Sequence, residues 1–370
     1  MTATDLALFV DDNTHFLSLC EQWQHVSFLA LDTEFIRTDT FYPIAGLLQV
    51  SDGHTNYLID PLKVTDFSAF ATLMQNPNIT KVLHSCSEDL EVFDRLVGVL
   101  PSPLFDTQIA AAICGFGFSL SYQRLVEALL NIHVEKGETR SNWLQRPLTQ
   151  SQCHYAALDV EHLPKVYRLL VDRLTELGRE TWLYEECLAG ITKFHQSEPY
   201  YKKVKSAWKL SASQLGLLNL LTTWREQQAR ARNVPRGRIL KDRSCFDIAA
   251  KPPRNQTELS LIEDINSKMI RIDGDSILSI IEQSKVQAVS LPVLPRPLPK
   301  ESGTALKQLK QLAHQRAEQL NVPVELLVKK RDYEAILRSG LRDGNYQLPA
   351  SLIGWRKDAV ANDLLALLNR

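Results

Sequence analysis

VSFLALDTEF, residues 26–35, decides the reading of this chain: a dense apolar run that ends in acids. Short runs rich in Val, Leu and Phe, followed by turn signals, form strands. Side chains two apart on a strand share a face, so Asp32 and Glu34 project together. Outward from it, AGLLQVS at 45–51 is a second strand, Asp52-Gly53 a turn and Thr55–Ile59 a third strand. Such close spacing predicts an antiparallel meander. Further on, the pattern predicts a helix over Asp66–Met74, a strand over Lys81–His84 and a helix over Ser87–Val97. Pro103–Asp106 leads into another helical stretch, and helices dominate to about residue 190. Strong period-2 signals end near residue 84, so a mixed sheet built early, with helices on its faces, is expected.

The 370 residues exceed one ordinary domain, and two or three are expected. A hydrophobic content of 44% excludes wholesale disorder. The start, MTATDLALFVDDNTHF, lacks the basic region and apolar run of a signal peptide. No later stretch reaches the roughly 18 apolar residues of a membrane helix. The six cysteines (Cys20, Cys86, Cys114, Cys153, Cys187, Cys245) are scattered without a CxxC pair. They read as free thiols in a reducing compartment, against structural zinc, and a soluble cytoplasmic protein is expected. The net charge of −1 hides a division: residues 1–200 hold 13 Lys/Arg against 26 Asp/Glu, and residues 201–370 hold 29 against 17. The acidic half needs cations before it tolerates an anion, while the basic half attracts a polyanion by itself in a salt-sensitive way. Two domains docked by opposite charge are the alternative.

ITKFHQSEPYYKKVKSAWK at 191–209 breaks the earlier pattern and reads as a linker or docking segment. The chain then repeats itself. NVPRGRILKDRSCFDIA begins at Asn233 and NVPVELLVKKRDYEAIL at Asn321, an offset of 88. Ile239 coincides with Leu327, Arg243 with Arg331 and Ile248 with Ile336; upstream, Leu218, Leu221 and Ala229 match Leu306, Leu309 and Ala317. Val before Pro is pushed out of the helical region, which ends one helix, and the proline opens the next. Two copies of one small helical domain are implied, divided by LPVLPRPLPK at 291–300.

Asp32 and Glu34 can converge on one cation, because paired buried carboxylates repel unless a metal or proton offsets them. A strand that merely ends on a solvated rim is the alternative. Asp89 follows KVLH in the first turn of the next helix, with Ser85 or Ser87 available as a cap. It serves either as a further acid of the same site or, like Glu88, as a complement to the helix N-terminus. Thr149 and Gln152 fit a capping box, which starts a helix just after Pro147-Leu148 and sets Tyr155 and Asp159 one turn apart on one face. They form an ordinary surface pair, or supply a fourth carboxylate and a hydroxyl that orients water.

The order of these motifs resembles the DEDD 3′→5′ exonuclease superfamily in its tyrosine branch, and within it the bacterial ribonuclease D family. LDTEF (31–35), HSCSEDLEVF (84–93) with LFDTQIAA (104–111), and NWLQRPLTQSQCHYAALDV (142–160) carry the resemblance over roughly residues 1–200. The repeat resembles tandem HRDC domains. The resemblance implies an α/β ribonuclease H-like exonuclease domain with a mixed sheet, followed by two all-α HRDC-like helical domains. The expected partition is 1–200 for the exonuclease domain, 201–209 for the linker, 210–290 for the first helical domain, 291–300 for the Pro-rich linker and 301–370 for the second.

Carried over, the four acids are Asp32, Glu34, Asp89 and Asp159, expected to hold two divalent ions, Mg²⁺ or Mn²⁺. Asp32 is expected to touch both, Glu34 one ion near the terminal ribose, Asp159 the ion on the water side, and Asp89 to act through coordinated water. Tyr155 is expected to orient the attacking water. His154 reads as packing or surface and His84 as a structural neighbour. Oxygen-only ligands suit hard cations, and two ions can serve the entering and leaving oxygens of a phosphodiester. The expected partner is RNA with a free 3′ hydroxyl, with transfer RNA precursors as the family's substrates, 5′-mononucleotides as products, no membrane and no obligate protein partner. Arg225, Arg230, Arg232, Arg236, Arg238, Lys241 and Arg243 surround the Asn233 junction as candidate phosphate contacts, and the second module is basic too. A DNA-directed exonuclease with the same acids and a non-catalytic nucleic-acid-binding scaffold are the other readings.

Overall fold

The computed structural model describes residues 6–135, 137–138, 141–196 and 198–369; residues 1–5 of the chain start and Ser197 of the linker reading lie outside them. The first elements are β1 (Leu8–Val10), α1 (Asn13–Trp23), β2 (Phe28–Ile36), β3 (Ile44–Ser51), β4 (Asn56–Ile59), α2 (Ser68–Gln75), β5 (Thr80–Leu83), α3 (Asp89–Leu96) and β6 (Leu104–Asp106). Five helices follow: α4 (Thr107–Ile113), α5 (Tyr122–Leu130), α6 (Gln150–Glu161), α7 (Leu163–Leu177) and α8 (Glu180–His195). The six strands lie in the order β1-β4-β3-β2-β5-β6. β2, β3 and β4 form the expected antiparallel meander, whereas β5 and β6 add to β2 in parallel and β1 adds to β4 in parallel. The sheet is therefore mixed and larger than its period-2 signals. β1 and β6 are three residues each, too short for alternation to register, and β6 stands where helix was expected to be approaching.

Alternation along the central strands sends side chains to two helical layers. Leu29, Leu31, Leu48 and Val50 pack with Phe16, Trp23, Phe70 and Phe93 on one side. On the other, Phe28 and Ala30 meet Leu163, Val166 and Leu170, while Leu47 and Leu58 meet Trp143, Ala156 and Ala157. Asp32 and Glu34 belong to this second face by register with Ala30.

Helix α6 starts as the sequence predicts. The Thr149 hydroxyl accepts from Gln152 N at 3.1 Å and the Gln152 side chain accepts from Thr149 N at 3.0 Å. The segment before it is fastened by Arg146, which donates through Nε (2.7 Å) and Nη2 (2.5 Å) to the fully buried Asp60 and also to the Gly46 and Trp143 carbonyls.

Among the described residues, 6–36, 44–195 and 298–369 form one compact unit, and 37–43 with 196–297 form another. The second repeat thus belongs to the same compact unit as the strands and helices of the first half. Leu309, Ala313, Leu327, Ile336 and Val360 share one core with Ala110, Leu125, Val166 and Leu170. Trp182 stacks on Trp355 at 4.2 Å, Arg356 donates with both terminal nitrogens to Glu186, and Arg179 donates to the Leu320 carbonyl at 2.7 Å. A helical module of roughly 70 residues buries little alone, and this packing supplies the rest.

The repeated stretches of sequence are helical at both places. In the second unit, α9 (Ala212–Arg232), α10 (Arg236–Ile239), α11 (Asp242–Ala250), α12 (Gln256–Leu259) and α13 (Ser267–Val286) make the first copy. In the first unit, α14 (Gly303–Leu320), α15 (Val324–Leu327), α16 (Lys330–Ser339) and α17 (Asn362–Leu368) make the second. Asn233 and Asn321 both close their helices at φ 49°, with Val234 N bonding Ala229 O and Val322 N bonding Ala317 O, each at 3.0 Å. Asparagine tolerates this left-handed geometry, so it ends the helix. Pro235 and Pro323 are extended and sit one residue before the next helix, a step earlier than the first-turn position expected.

Breaking the Arg146–Asp60 pair strands a buried carboxylate, which costs about 3–5 kcal/mol. Arg146→Met is therefore expected to shift urea unfolding of the first unit by that amount. A loss below about 1 kcal/mol would show that the pair is no better than a surface bridge.

Candidate active site

The acids sit where β2 leaves regular pairing. Its register with β3 shifts between Glu34 and Phe35, a bulge that re-aims the strand end. Carboxylate oxygens of Asp32, Glu34 and Asp159 lie within 4.8 Å of one another. Three of the four predicted acids are thus gathered from one strand and from a helix more than 120 residues away in sequence. Tyr155 lies one turn before Asp159, and its nearby phenol lowers the Asp159 carboxyl pKa.

Asp89 is placed differently. It is buried at the first position of α3 and accepts from the Thr33 hydroxyl at 2.5 Å. Thr33 points to the opposite face of β2 from Asp32 and Glu34. Asp89 therefore borders the three-acid cluster without joining it directly.

Electrostatics mark the cluster as strained unless a cation or protons are present. Burial, then the charges of Asp89, Asp159 and Glu34, pushes the Asp32 carboxyl well above its usual range. Burial, then the charges of Asp159 and Asp89, pushes Glu34 up to about 9. Burial raises Asp159 to about 7 against the opposing Tyr155 hydrogen bond, and raises Asp89 to about 6 against the Thr33 bond. Burial followed by the Asp159 charge also raises the Tyr155 phenol. Oxygen donors alone, held this close and repelling each other, fit hard divalent cations.

Other residues hold the arrangement, and sequence reasoning assigned them no such role. Asp106 accepts from Ser85 N and Cys86 N, each at 3.0 Å, and caps α4 through Gln108 N. It thereby fixes the turn, with Ser85 at φ 60°, that delivers Asp89. Gly137 lies against the Tyr155 ring so closely that an added Cβ would be 2.5 Å from Tyr155 Cδ2. The next residue, Glu138, accepts from Ser151 Oγ at 2.7 Å and ties that segment to the first turn of α6. Trp143 flanks Tyr155 at 6.3 Å between ring centres. Only the capping boxes among such features leave a local sequence signal. His84 is structural as expected: its two ring nitrogens face Thr107 Oγ1 (2.9 Å) and Leu120 O (3.1 Å), and His154 is exposed.

The seven bases near Asn233 all have partners inside the second unit. Arg225 is a correction: it is buried, bonding Leu240 O and Asp242, so it is not presented to a polyanion. Arg230 and Arg236 bind Glu226 and lie over the Phe41 ring at 4.8 and 4.7 Å. Arg232 pairs with Asp273, Arg238 with Asp39, Lys241 with Asp264 and Arg243 with Asp247. Arg232, Arg238 and Lys241 nevertheless line an open groove of about 710 Å³, together with Lys268, Met269 and Ile272.

Cys20, Cys86, Cys114, Cys153, Cys187 and Cys245 are all unpaired, and among the described residues no helix is long and apolar enough to cross a membrane. The 3′-5′ exonuclease family model matches residues 8–175, and the HRDC domain model matches residues 214–281. The ribonuclease D of Pseudomonas paraeruginosa is 46% identical over 365 residues, covering 97% of each chain. That of Escherichia coli is 36% identical over 365 residues, covering 95% of each. The crystal structure of Escherichia coli RNase D, described as an exoribonuclease involved in structured RNA processing, superposes with a TM-score of 0.87 at 33% identity over 98% of both chains. Full-length identity at this level, on a fold that gathers the acids of a nuclease, shows that the chain belongs to the ribonuclease D family of 3′→5′ exonucleases.

Proposed function

We propose that this exonuclease acts on RNA, trimming 3′ extensions of transfer RNA precursors and other small structured RNAs in the cytoplasm and releasing 5′-mononucleotides. The observation that supports hydrolysis at this site is the 4.8 Å cluster of Asp32, Glu34 and Asp159 beside Tyr155. RNA as substrate rests on kinship with the ribonucleases above.

Asp32, Glu34 and Asp159 are the residues to hold two divalent ions, Mg²⁺ or Mn²⁺, with Asp89 reaching them through water. Bound there, the ions supply activation of a water nucleophile and neutralise charge developing on the departing 3′ oxygen. The protein's own groups do the rest. With its phenol raised, Tyr155 stays protonated and works as a donor, holding the Asp159 carboxylate and orienting the water. Gly137 and Trp143 restrict where that ring can go. The groove lined by Arg238, Lys241 and Lys268 offers phosphate contacts in the second unit, and the second repeat is a further HRDC-like module.

Matched single-stranded RNA and DNA, each with a free or a phosphate-blocked 3′ end, test the substrate. Mononucleotides are expected from unblocked RNA alone; equal loss of DNA or internal cleavage would overturn the reading. Asp32→Asn and Asp159→Asn are expected to lose about 10²–10³-fold or more in rate while retaining RNA binding. Tyr155→Phe is expected to lose rate, about 10²-fold, more than affinity. Rates like wild type at ordinary Mg²⁺ would remove the assigned roles.

Metal occupancy also predicts a pH dependence. Asp89, Asp159 and Glu34 hold their protons more tightly folded than unfolded, so their contribution to stability is complete below the ordinary carboxyl range. It is lost as pH climbs through about 6, 7 and 9 in turn. In EDTA the melting temperature should therefore fall from pH 5 towards pH 9, and Mg²⁺ should raise it most at the alkaline end. A Mg²⁺ shift that is flat across this range would contradict charge compensation by metal.

Removing all residues after 205 would strip the second repeat from the first unit's core, so point substitutions are the cleaner probe of the groove. Lys241→Gln with Lys268→Gln should weaken structured-RNA binding and lower its salt slope by about 1 per lost phosphate contact, sparing hydrolysis of short substrates. An unchanged slope would take the groove out of RNA binding.

A further inference from the structure

Gln49 stands directly opposite Asp32 in the β2–β3 pairing and directly opposite Leu58 in the β3–β4 pairing. Residues opposite each other across antiparallel strands share a face, with Cβ atoms about 4.5–5.5 Å apart. Gln49 therefore points to the side where Leu47 and Leu58 meet Ala156 and Ala157 of α6, the helix that carries Tyr155 and Asp159. Its residue is completely buried, and among the described residues neither Nε2 nor Oε1 has a hydrogen-bond partner. The indole Nε1 of Trp143, in the same apolar cluster as Leu47 and Leu58, is also buried without one.

Such a side chain is expensive. An unsatisfied buried polar group is destabilising, and an apolar residue of similar volume in its place would be neutral or stabilising. A carboxamide kept beside a catalytic carboxylate at that cost needs a use. Asp32 has one to offer. Once cations hold it ionised, its carboxylate needs to present particular oxygens to them, and a donor on its far side fixes which ones. The Gln49 carboxamide stands on the strand residue paired with Asp32, on the same face of the sheet.

We propose that Gln49 is a positioning residue for Asp32: its amide N–H donates to the Asp32 carboxylate, directly or through one water, and sets the carboxylate's orientation towards the divalent ions. The inference rests on the metal reading of Asp32, Glu34 and Asp159. Carboxylates that bind metals are in turn hydrogen-bonded, and removing such a partner typically costs about 10–100-fold in metal affinity or activity.

The test compares wild type with Gln49→Met and Gln49→Glu. Melting temperature is measured in EDTA and across a Mg²⁺ titration, and initial rates are measured across the same titration. Gln49→Met is expected to melt at or above wild type in EDTA, yet to need about 10–100-fold more Mg²⁺ both for its thermal shift and for half-maximal rate. Gln49→Glu, which adds a like charge beside Asp32, is expected to melt below wild type in EDTA and to regain stability with Mg²⁺. A Gln49→Met protein with wild-type Mg²⁺ dependence in both readouts would overturn the inference while leaving the metal site standing. A parallel loss of melting temperature and rate, with unchanged Mg²⁺ dependence, would make Gln49 a packing residue and overturn it equally. Absence of any Mg²⁺ shift in wild type would instead sink the metal reading itself.

Discussion

Like charges brought together out of water dominate this molecule. Asp32, Glu34 and Asp159 repel one another and lose hydration in the folded state, so the scaffold must hold them by force supplied elsewhere. Each acid is accordingly anchored through its backbone by contacts independent of the others. β2 is paired on both sides, by β3 and β5. Helix α6 is fixed at its start by the Thr149–Gln152 box and by Arg146 on Asp60, and at its end by Asn56 donating to Glu161. α3 is aimed by Asp106 at the preceding turn. Folding free energy from two apolar layers offsets the repulsion, and divalent cations held by Asp32, Glu34 and Asp159 would relieve it further. An acidic pocket that repels a nucleic-acid phosphate unless its charge is compensated follows from the same arrangement.

Much of this was legible in the chain because its signals are local. The run 26–35, the Asp52-Gly53 turn and the Thr149–Gln152 box each act within a few residues, and each element forms where its pattern lies. The spacing of Tyr155 and Asp159 on one helical face was readable for the same reason. Features that depend on residues far apart left no pattern. Asp106 looked like the lead into a helix, yet it caps one helix and the turn before another. Lys81 read as a strand residue, and it is; its buried ammonium also donates to the Asn76 and Ile79 carbonyls at 2.9 and 2.6 Å. Asp89 was equally ambiguous between site and helix terminus, and its bond to Thr33 gives it a share in both.

The duplicated Asn-Val-Pro corner shows how one local geometry serves two surroundings. In the second unit, Asn233 Oδ1 accepts from Phe41 N and Tyr42 N at 3.1 Å each, securing the strand connection 37–43. In the first unit, the equivalent Asn321 lies against Gly115, where an added Cβ would be 2.5 Å from the Asn321 carbonyl oxygen. The left-handed asparagine and the bond from the following valine are the same in both copies. What differs is the packed surface, and sequence identity at the corner carries no information about it.

The division of charge is subject to a similar distinction between composition and presentation. Counting bases near Asn233 suggested a roster of phosphate ligands, yet Arg225 is buried and Arg230 and Arg236 grip Glu226 and Phe41. An arginine so engaged still contributes its share of long-range potential, because pairing with one carboxylate leaves the regional excess of 29 bases over 17 acids unchanged. Attraction of a polyanion is then a property of the whole basic half and persists when any one pair is broken. Direct contact would fall to the few cations whose side chains line open surface, such as Lys241 and Lys268 in their groove. Steering and gripping are separable, the first set by net charge and the second by which guanidinium and ammonium groups the fold leaves on open surface.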